Sequence, residues 1–185
     1  MKTEHRLAEA LKEMMSGTPL DEISVTMLVR KCKVNRQTFY YHFHDIYDLL
    51  TLVFLDEHIP HLEEVKDIKD MVKCIFNYYK ANANFIDAAV NSAGKDLVEE
   101  FIYNATYKSI LKIVNEVKDS KKVHYNDRKA IARFYSQAYS HTIVYYLSTY
   151  KNKTLDGLLG CFAFESDDTF VKAIEKMIIV RGKDK

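Results

Sequence analysis

The chain has 185 residues with a formal net charge of +1; 48% of its residues are hydrophobic and 29% are charged. This composition excludes an intrinsically disordered or collagen-like chain, and the length allows one or two buried cores. The sequence has no run near the roughly 20 apolar residues of a membrane-spanning helix and no signal-peptide core at its N-terminus, so we expect a cytoplasmic protein without a membrane partner.

Only five glycines and two prolines are present, which favours long helices over a turn-rich sheet and predicts an all-α fold. A first helix is predicted over about residues 4–15, where apolar residues recur at helical spacing. Ser24 is predicted to be the N-cap of a second helix and Asn35 that of a third. Two short helices joined by a tight turn result.

Asp45 is predicted to cap a fourth helix that continues to Ile59, where Pro60 stops it. Residues 120–127 are interpreted as a solvated loop, and residues 151–166 as either a short helix or an ordered loop. The longer helices that follow the fourth are predicted at about 67–81, 82–91, 95–118, 127–150 and 167–181.

A local positive charge marks residues 23–44, which contain four basic residues and no acidic one. Elsewhere in the chain the two signs of charge are interspersed. The basic residues, which flank a short helix rich in aromatic and hydrogen-bonding side chains, are Arg30, Lys31, Lys33 and Arg36. This pattern is typical of a helix-turn-helix, which holds phosphates and offers side chains to base edges.

The same segment resembles the DNA-binding domain of the TetR family of transcriptional regulators. The matching residues are Ser24-Val25 at the cap, Val34-Asn35 in the turn, Thr38-Phe39-Tyr40-Tyr41-His42-Phe43 in the recognition helix, and Asp48-Leu49-Leu50 beyond it. The segments FYYHFHDIYDLL and NFIDAAVNSAGKDLVEEF also resemble the branch that includes dihydroxyacetone-kinase operon regulators. We therefore predict a helix-turn-helix domain over residues 1–46 and a helical effector-binding and dimerisation domain over residues 47–185.

Arg36, Gln37 and Thr38 occupy the first turn of the recognition helix and are the predicted base-reading residues. Arginine pairs with guanine, glutamine with adenine, and threonine with a thymine methyl group or a phosphate. Phe39 and Phe43, four residues apart, are predicted to pack inward. The resemblance implies further contacts with DNA. Ser24 lies at the cap of the second helix, Thr26 and His42 contact phosphates, and Tyr40 and Tyr41 contact phosphates or bases.

Two positions depart from the family pattern. Lys33 stands where the family usually has glycine, so either a positive φ costs about 1 kcal/mol there or the turn differs slightly. Ile46 stands where the family often has a phosphate-binding lysine. We expect Tyr47 and the backbone N–H groups at the start of the fourth helix to supply phosphate contacts instead.

The resemblance implies that the C-terminal body binds a small-molecule effector and dimerises through its last two long helices. The segment of residues 127–150 fits this role, because apolar or amphipathic groups cover most of its circumference and need burial on two sides. On the last helix, the residues expected to assist are Phe170, Ala173, Ile174, Met177 and Ile178. Aromatic candidates for the effector pocket, each of which also fits ordinary helix packing, are Tyr78, Phe101, Tyr107, Tyr135 and Tyr139.

We find no motif of a catalytic nucleophile, a P-loop or a metalloprotease, so we expect no enzyme activity and no cofactor. We expect no metal site, since Pro60 interrupts the helix between His58 and His61. The three cysteines, which are widely spaced and are predicted to be reduced thiols, are Cys32, Cys74 and Cys161.

Together, these observations predict a homodimeric TetR-like regulator that binds a palindromic operator in double-stranded DNA. We expect a repressor that a small-molecule effector of unknown identity releases from its operator. The alternative is a helical, ligand-sensing co-activator that acts through protein contacts with weak or no DNA binding. Ile46 and the near-neutral net charge favour that alternative.

Overall fold

The computed structural model describes residues 2–166 and 168–182. Within these residues the secondary structure is helical, without strands, which confirms the predicted all-α class. The helices are α1 (Thr3–Met15), α2 (Val25–Lys31), α3 (Arg36–His42), α4 (Ile46–Asp56), α5 (Ile68–Ala81), α6 (Ala83–Val90), α7 (Lys95–Glu116), α8 (Tyr125–Thr149), α9 (Leu155–Gly160) and α10 (Thr169–Gly182). None of the helices so described is long and apolar enough to cross a membrane.

The starts of α2, α3 and α4 are fixed by side-chain caps at the three predicted residues. The Ser24 hydroxyl accepts the Met27 N–H at 3.3 Å. Asn35 accepts the Thr38 N–H at 2.7 Å, and Asp45 accepts the Asp48 N–H at 2.8 Å. Each cap satisfies an N–H group that has no partner within its helix, so these predicted boundaries are confirmed.

The turn between α2 and α3 contains a lysine in the left-handed region, with φ of 53° at Lys33. Of the two alternatives stated for this position, a positive φ or a different turn, the structure has the positive φ. Helix α1 braces the turn, since the Arg6 guanidinium donates to the carbonyl of Cys32 at 2.7 Å. The same two residues make a second contact, in which the Cys32 thiol donates to the carbonyl of Arg6 at 3.5 Å.

The chain divides into two compact units, of which the first contains the described part of residues 1–58 together with residues 79–101. Its core joins α1 to α4, and its innermost side chains, all fully buried, are Leu7, Leu11, Leu28, Phe39, Leu49 and Leu50. Helix α6 adds Phe85, whose ring lies 5.3 Å from that of Phe54. Phe39 and Phe43 are both buried, which confirms their predicted core role.

The second unit contains residues 59–78 and the described part of residues 102–185. Among its most deeply buried apolar residues are Met71, Val72, Ile110, Val114, Ile143, Val144, Leu158 and Ile174. Buried hydroxyls in this core donate to backbone carbonyls, either within the helix, as Ser136 does to Ala132 at 2.6 Å, or to a distant segment, as Ser109 does to Leu62 at 3.2 Å. The division predicted at residues 46 and 47 stays a prediction.

Helix α4 ends earlier than predicted, at Asp56 rather than Ile59. Glu57 has extended backbone, with φ of −74° and ψ of 145°. Proline disfavours helical geometry at the residue before it, here Ile59, and the helix already ends three residues upstream of that residue. His5 Nδ1 of α1 lies 3.0 Å from a carboxylate oxygen of Asp56, and Lys12 of α1 forms an ion pair with Glu57, so both contacts hold this end of α4.

Two connecting segments, residues 120–127 and 151–166, can be compared with their interpretation from the sequence. The predicted solvated loop at residues 120–127 is wrong in part, because Ser120 and Val123 are buried and α8 already begins at Tyr125. The open choice for residues 151–166 is settled by α9, whose N-cap Thr154 accepts the Gly157 N–H at 3.0 Å. The predicted start of the last helix, residue 167, lies outside the described residues, and α10 is described from Thr169.

Candidate nucleic-acid interface

Helix α3 has one buried face and one open face. Phe39 is fully buried, whereas Tyr40 and Tyr41 keep 51% and 84% of their surface exposed. Arg36 and Gln37 in the first turn are exposed as well. A seven-residue helix that is anchored by its phenylalanine therefore presents a set of large polar side chains outward.

Two of these outward residues form a pair along the helix. The Arg36 guanidinium donates to the Tyr40 hydroxyl at 3.3 Å and lies 5.8 Å from the centre of the Tyr40 ring. Residues four apart in a helix are neighbours, and the cation is attracted to the ring face. The pair restricts both side chains at the exposed surface, where arginine is suited to bidentate recognition of guanine or phosphate.

Thr38 is half-buried, and both of its hydrogen-bond donors are used at the cap. Its hydroxyl donates to the Asn35 side-chain oxygen at 2.9 Å, in addition to the backbone bond. The threonine methyl group and the hydroxyl lone pairs remain for recognition. Gln37 is exposed beside it and keeps an amide that can both donate and accept.

The other predicted contacts flank α3. Ser24 and Thr26 are exposed at the start of α2, and the Ser24 oxygen already serves as the cap. Tyr41 packs edge-on against His42, with ring centres 4.9 Å apart. His42 lies at the end of α3, where its Nδ1 is 3.0 Å from a carboxylate oxygen of Glu4 on α1.

Tyr47 lies in the first turn of α4 and is half-buried. Its hydroxyl donates to Asp21 at 3.2 Å. Burial raises the pKa of the Tyr47 phenol, and the hydrogen bond to Asp21 and the negative charges of Asp21 and Asp45 raise it further. The residue therefore remains a neutral donor whose single proton already has an acceptor.

Charge is distributed unevenly over this part of the unit. The four basic residues of the segment 23–44 are all exposed, and Lys31 pairs with Glu13 at 2.9 Å. Two exposed acidic residues, Asp21 and Asp45, lie instead beside Tyr47. A positive surface around α3 thus adjoins an acidic border at the start of α4.

Sequence reasoning missed three residues that contact this surface: Glu4, Arg6 and Asp21. Their partners lie 26 or more residues away along the chain, as in the Tyr47–Asp21 hydrogen bond. A helical pattern shows only which residues share a face of one helix. It gives no signal for such pairs.

Two of the five predicted effector residues converge in the second unit. The Tyr135 and Tyr139 rings are 6.4 Å apart, and the Tyr139 hydroxyl donates to Glu165. Burial raises the pKa of both phenols, and the Glu165 charge adds to this effect. Phe162 completes the cluster with its ring 4.9 Å from that of Tyr139. Glu165 and Phe162 were not among the predicted residues.

The other three lie elsewhere. Tyr78 is buried in the second unit, and Tyr107 is half-buried and stacks on Tyr103 with ring centres 6.0 Å apart. Phe101 belongs to the first unit, where its ring is 5.4 Å from that of Phe54. Over residues 2–166 and 168–182, no three His, Cys, Asp or Glu side chains are placed to hold a metal ion.

Helix α8 carries an exposed stripe at a spacing of four, three and four residues. Phe134 and Tyr145 keep 68% and 52% of their surface exposed, and Ala138 and His141 between them are exposed too. On α10, Phe170 and Ile174 are buried within the unit and Met177 and Ile178 are half-buried. The exposed apolar residues of α10 are instead Val171, Ile179 and Val180.

Residues 66–156 match a TetR family model described as "Transcriptional regulator C-terminal region". Among solved structures, the chain is similar to "Dihydroxyacetone kinase operon activator DhaS", with 18% sequence identity and a TM-score of 0.56 over 96% of this chain and 97% of that chain. At this identity the likeness shows the fold. No curated protein matches the sequence. The resemblance to the TetR family, which came from the N-terminal motif, is confirmed by this match over a different part of the chain, residues 66–156.

Proposed function

We propose that this TetR-like regulator is a homodimer that binds a palindromic DNA operator through α3 and is released by a small-molecule effector. The observation that carries the proposal is the division of α3 into a buried Phe39 and an exposed set that includes Arg36, Tyr40 and Tyr41. A positive surface surrounds the helix. Side chains that serve only folding would not need this exposure.

In the proposed complex the N-terminal turn of α3 enters the major groove. Arg36 and Gln37 then reach base edges, where arginine pairs with guanine and glutamine with adenine. The exposed tyrosines contact phosphates or bases, and Ser24 and Thr26 lie toward the backbone at the start of α2. In a two-fold symmetric dimer, the two copies of α3 engage half-sites about 34 Å apart or a multiple of this distance.

The exposed stripe on α8 supports the dimer. A stripe in which Phe134 and Tyr145 are more than half exposed is costly to leave in water, and a second copy would cover it. Val171 and Ile179 on α10 are exposed apolar residues as well, and in the proposed dimer they join this contact. Such a pair of helices forms a self-complementary interface when two copies meet about a two-fold axis.

For the effector, the cluster of Tyr135 and Tyr139 in the second unit is the best-supported location. It combines aromatic surface with phenol groups and the Glu165 carboxylate, the mixture of apolar walls and few polar groups that ligand pockets use. Binding there would shift the separation of the two recognition helices, so that both half-sites cannot be held together.

We propose repression by occlusion of the promoter. A protein of similar fold is named an operon activator, and the position of the operator relative to the promoter, rather than the fold, decides the sign of regulation. A transcription reporter with the native upstream region tests this step. Expression that rises when the gene of this protein is deleted supports repression, and expression that falls contradicts it.

The DNA-binding step is tested with the purified protein, its own upstream DNA and a scrambled duplex at two salt concentrations. Arg36→Ala is expected to weaken selective binding by about 5- to 150-fold, which corresponds to 1–3 kcal/mol for a bidentate base contact. Lys121→Ala is the matched control, since Lys121 is an exposed basic residue of the second unit. Equal operator affinity of the Arg36 variant and the wild type would contradict the role of α3.

Besides the near-neutral net charge, the start of α4 favours the co-activator alternative: Asp21 and Asp45 are exposed carboxylates there, and Ile46 stands where the family often has a lysine. Phosphate contacts release counterions, so true DNA binding weakens steeply with salt. A folded dimer that binds no DNA at low salt would favour the alternative over the proposed operator binding.

A further inference from the structure

The bond between Tyr47 and Asp21 places a carboxylate at a proposed phosphate contact. Asp21 belongs to a single 3₁₀ turn, Leu20–Glu22, which is anchored by Leu20 at 2% exposure. Tyr47 is the second residue of α4. Their side chains meet at 3.2 Å although the residues are 26 positions apart.

A phenol has one proton to donate. The Tyr47 hydroxyl donates it to a carboxylate oxygen of Asp21, and a DNA phosphate bound at this hydroxyl would need the same proton. The carboxylate would also repel the phosphate, because two like charges a few ångströms apart raise the energy of the complex. Asp45 adds a second negative charge near the phenol.

We propose that Asp21 weakens DNA binding by holding the Tyr47 hydroxyl in competition with a backbone phosphate. The inference rests on the proposed function, since it gives one residue of the DNA-binding surface a negative role. A phosphate contact carries no sequence information, so Asp21 sets affinity for operator and scrambled DNA alike and leaves their ratio unchanged.

The test compares Asp21→Ala with Glu22→Ala in the full-length protein. Glu22 is the matched control, since it is an exposed carboxylate in the same 3₁₀ turn. We expect Asp21→Ala to raise affinity about 3- to 10-fold for both duplexes at low salt, the size of one hydrogen bond, with little change in the salt dependence, because a neutral phenol displaces no counterion. For Glu22→Ala we expect a change below about twofold, the size of a screened charge.

A second comparison separates competition for the hydroxyl from simple repulsion. In a Tyr47→Phe background there is no hydroxyl to release, so Asp21→Ala should gain no more affinity than Glu22→Ala. A gain that persists undiminished in that background overturns the proposal, as does an Asp21→Ala variant that binds no better than Glu22→Ala. Circular dichroism and size-exclusion chromatography check that each variant is folded.

The outcomes distinguish this inference from the proposed function. If the wild type binds its operator selectively and Asp21→Ala matches Glu22→Ala, only the role of Asp21 is overturned. If neither the wild type nor Asp21→Ala binds DNA at low salt, both the operator-binding function and the role of Asp21 are overturned.

Discussion

Tyr146 holds the backbone of Thr154 from both sides. Its hydroxyl accepts the Thr154 N–H at 3.0 Å and donates to the Thr154 carbonyl at 3.1 Å. The phenol is buried at 3% exposure and its ring stacks on Tyr150 at 4.7 Å. Since Thr154 caps α9, this one hydroxyl fixes the connection that follows α8.

Tyr146→Phe should lower the free energy of unfolding by about 1–3 kcal/mol, because it leaves a part-buried N–H and carbonyl without their partner. Chemical denaturation followed by circular dichroism measures the change. Tyr125→Phe is the matched control: Tyr125 is 48% exposed and should change stability by less than about 0.5 kcal/mol. Equal stability of the two variants would show that the clamp on Thr154 contributes nothing.

Gly157 lies against the same hydroxyl. A Cβ at this position would come 2.3 Å from the Tyr146 hydroxyl oxygen, whereas a Cβ at Gly160 in the same helix would meet nothing within 4 Å. Gly157→Ala should therefore destabilise the protein by about 1–3 kcal/mol through overlap with a held side chain. Gly160→Ala should be neutral or stabilise by up to about 1 kcal/mol. Thermal unfolding of the two single variants compares their stabilities. A Gly157→Ala variant that is more stable than the Gly160→Ala variant would contradict the close approach of Gly157 to Tyr146.

The sequence separation between hydrogen-bonded residues explains how much of this fold and site the sequence could predict. Ser24, Asn35 and Asp45 act on residues three positions away, so a local pattern was sufficient to locate the starts of α2, α3 and α4. The Tyr47–Asp21 and Tyr139–Glu165 bonds each join residues 26 positions apart. Which side chains meet over such distances depends on how helices pack, which periodicity does not specify.

Lys33 has φ of 53°, a conformation that costs a residue with a Cβ about 1 kcal/mol. Lys33→Gly should therefore leave stability unchanged or raise it by up to about 1 kcal/mol. Lys33→Val should lower it by more than about 1 kcal/mol, because a β-branched residue is least tolerant of this region. Equilibrium unfolding of both variants measures the difference, and a glycine variant less stable than the valine variant would contradict the strained turn.

The raised pKa of Tyr139 predicts that the free energy of unfolding falls at alkaline pH. Burial, followed by the hydrogen bond to Glu165 and its charge, raises the pKa of this phenol well above its ordinary value. Its contribution is fully present below the unfolded pKa near 10. The contribution is lost as pH rises toward the folded pKa, because the unfolded state then binds fewer protons. One such group lowers the free energy of unfolding by up to about 1.4 kcal/mol per pH unit.

Denaturation at pH 9, 10 and 11 tests this dependence, with Tyr139→Phe as the comparison. The variant loses the hydrogen bond to Glu165 and so should be less stable at pH 9, but its stability should fall less steeply toward pH 11. Tyr47 and Tyr135, whose phenol pKa values are also raised, keep part of the slope in the variant. Equal slopes for the two proteins would contradict the assignment to Tyr139.

Phe134 is the most exposed aromatic residue in the α8 stripe, at 68%. If a second copy covers it, Phe134→Glu places a charge in the interface and should weaken dimerisation by at least about tenfold, with a parallel loss of operator binding. Phe164→Glu is the control, since Phe164 is 84% exposed and lies outside both α8 and α10. Sedimentation at several concentrations measures the dimer. If the Phe134 variant stays dimeric at the concentrations at which the wild type is dimeric, the dimer interface does not include this stripe.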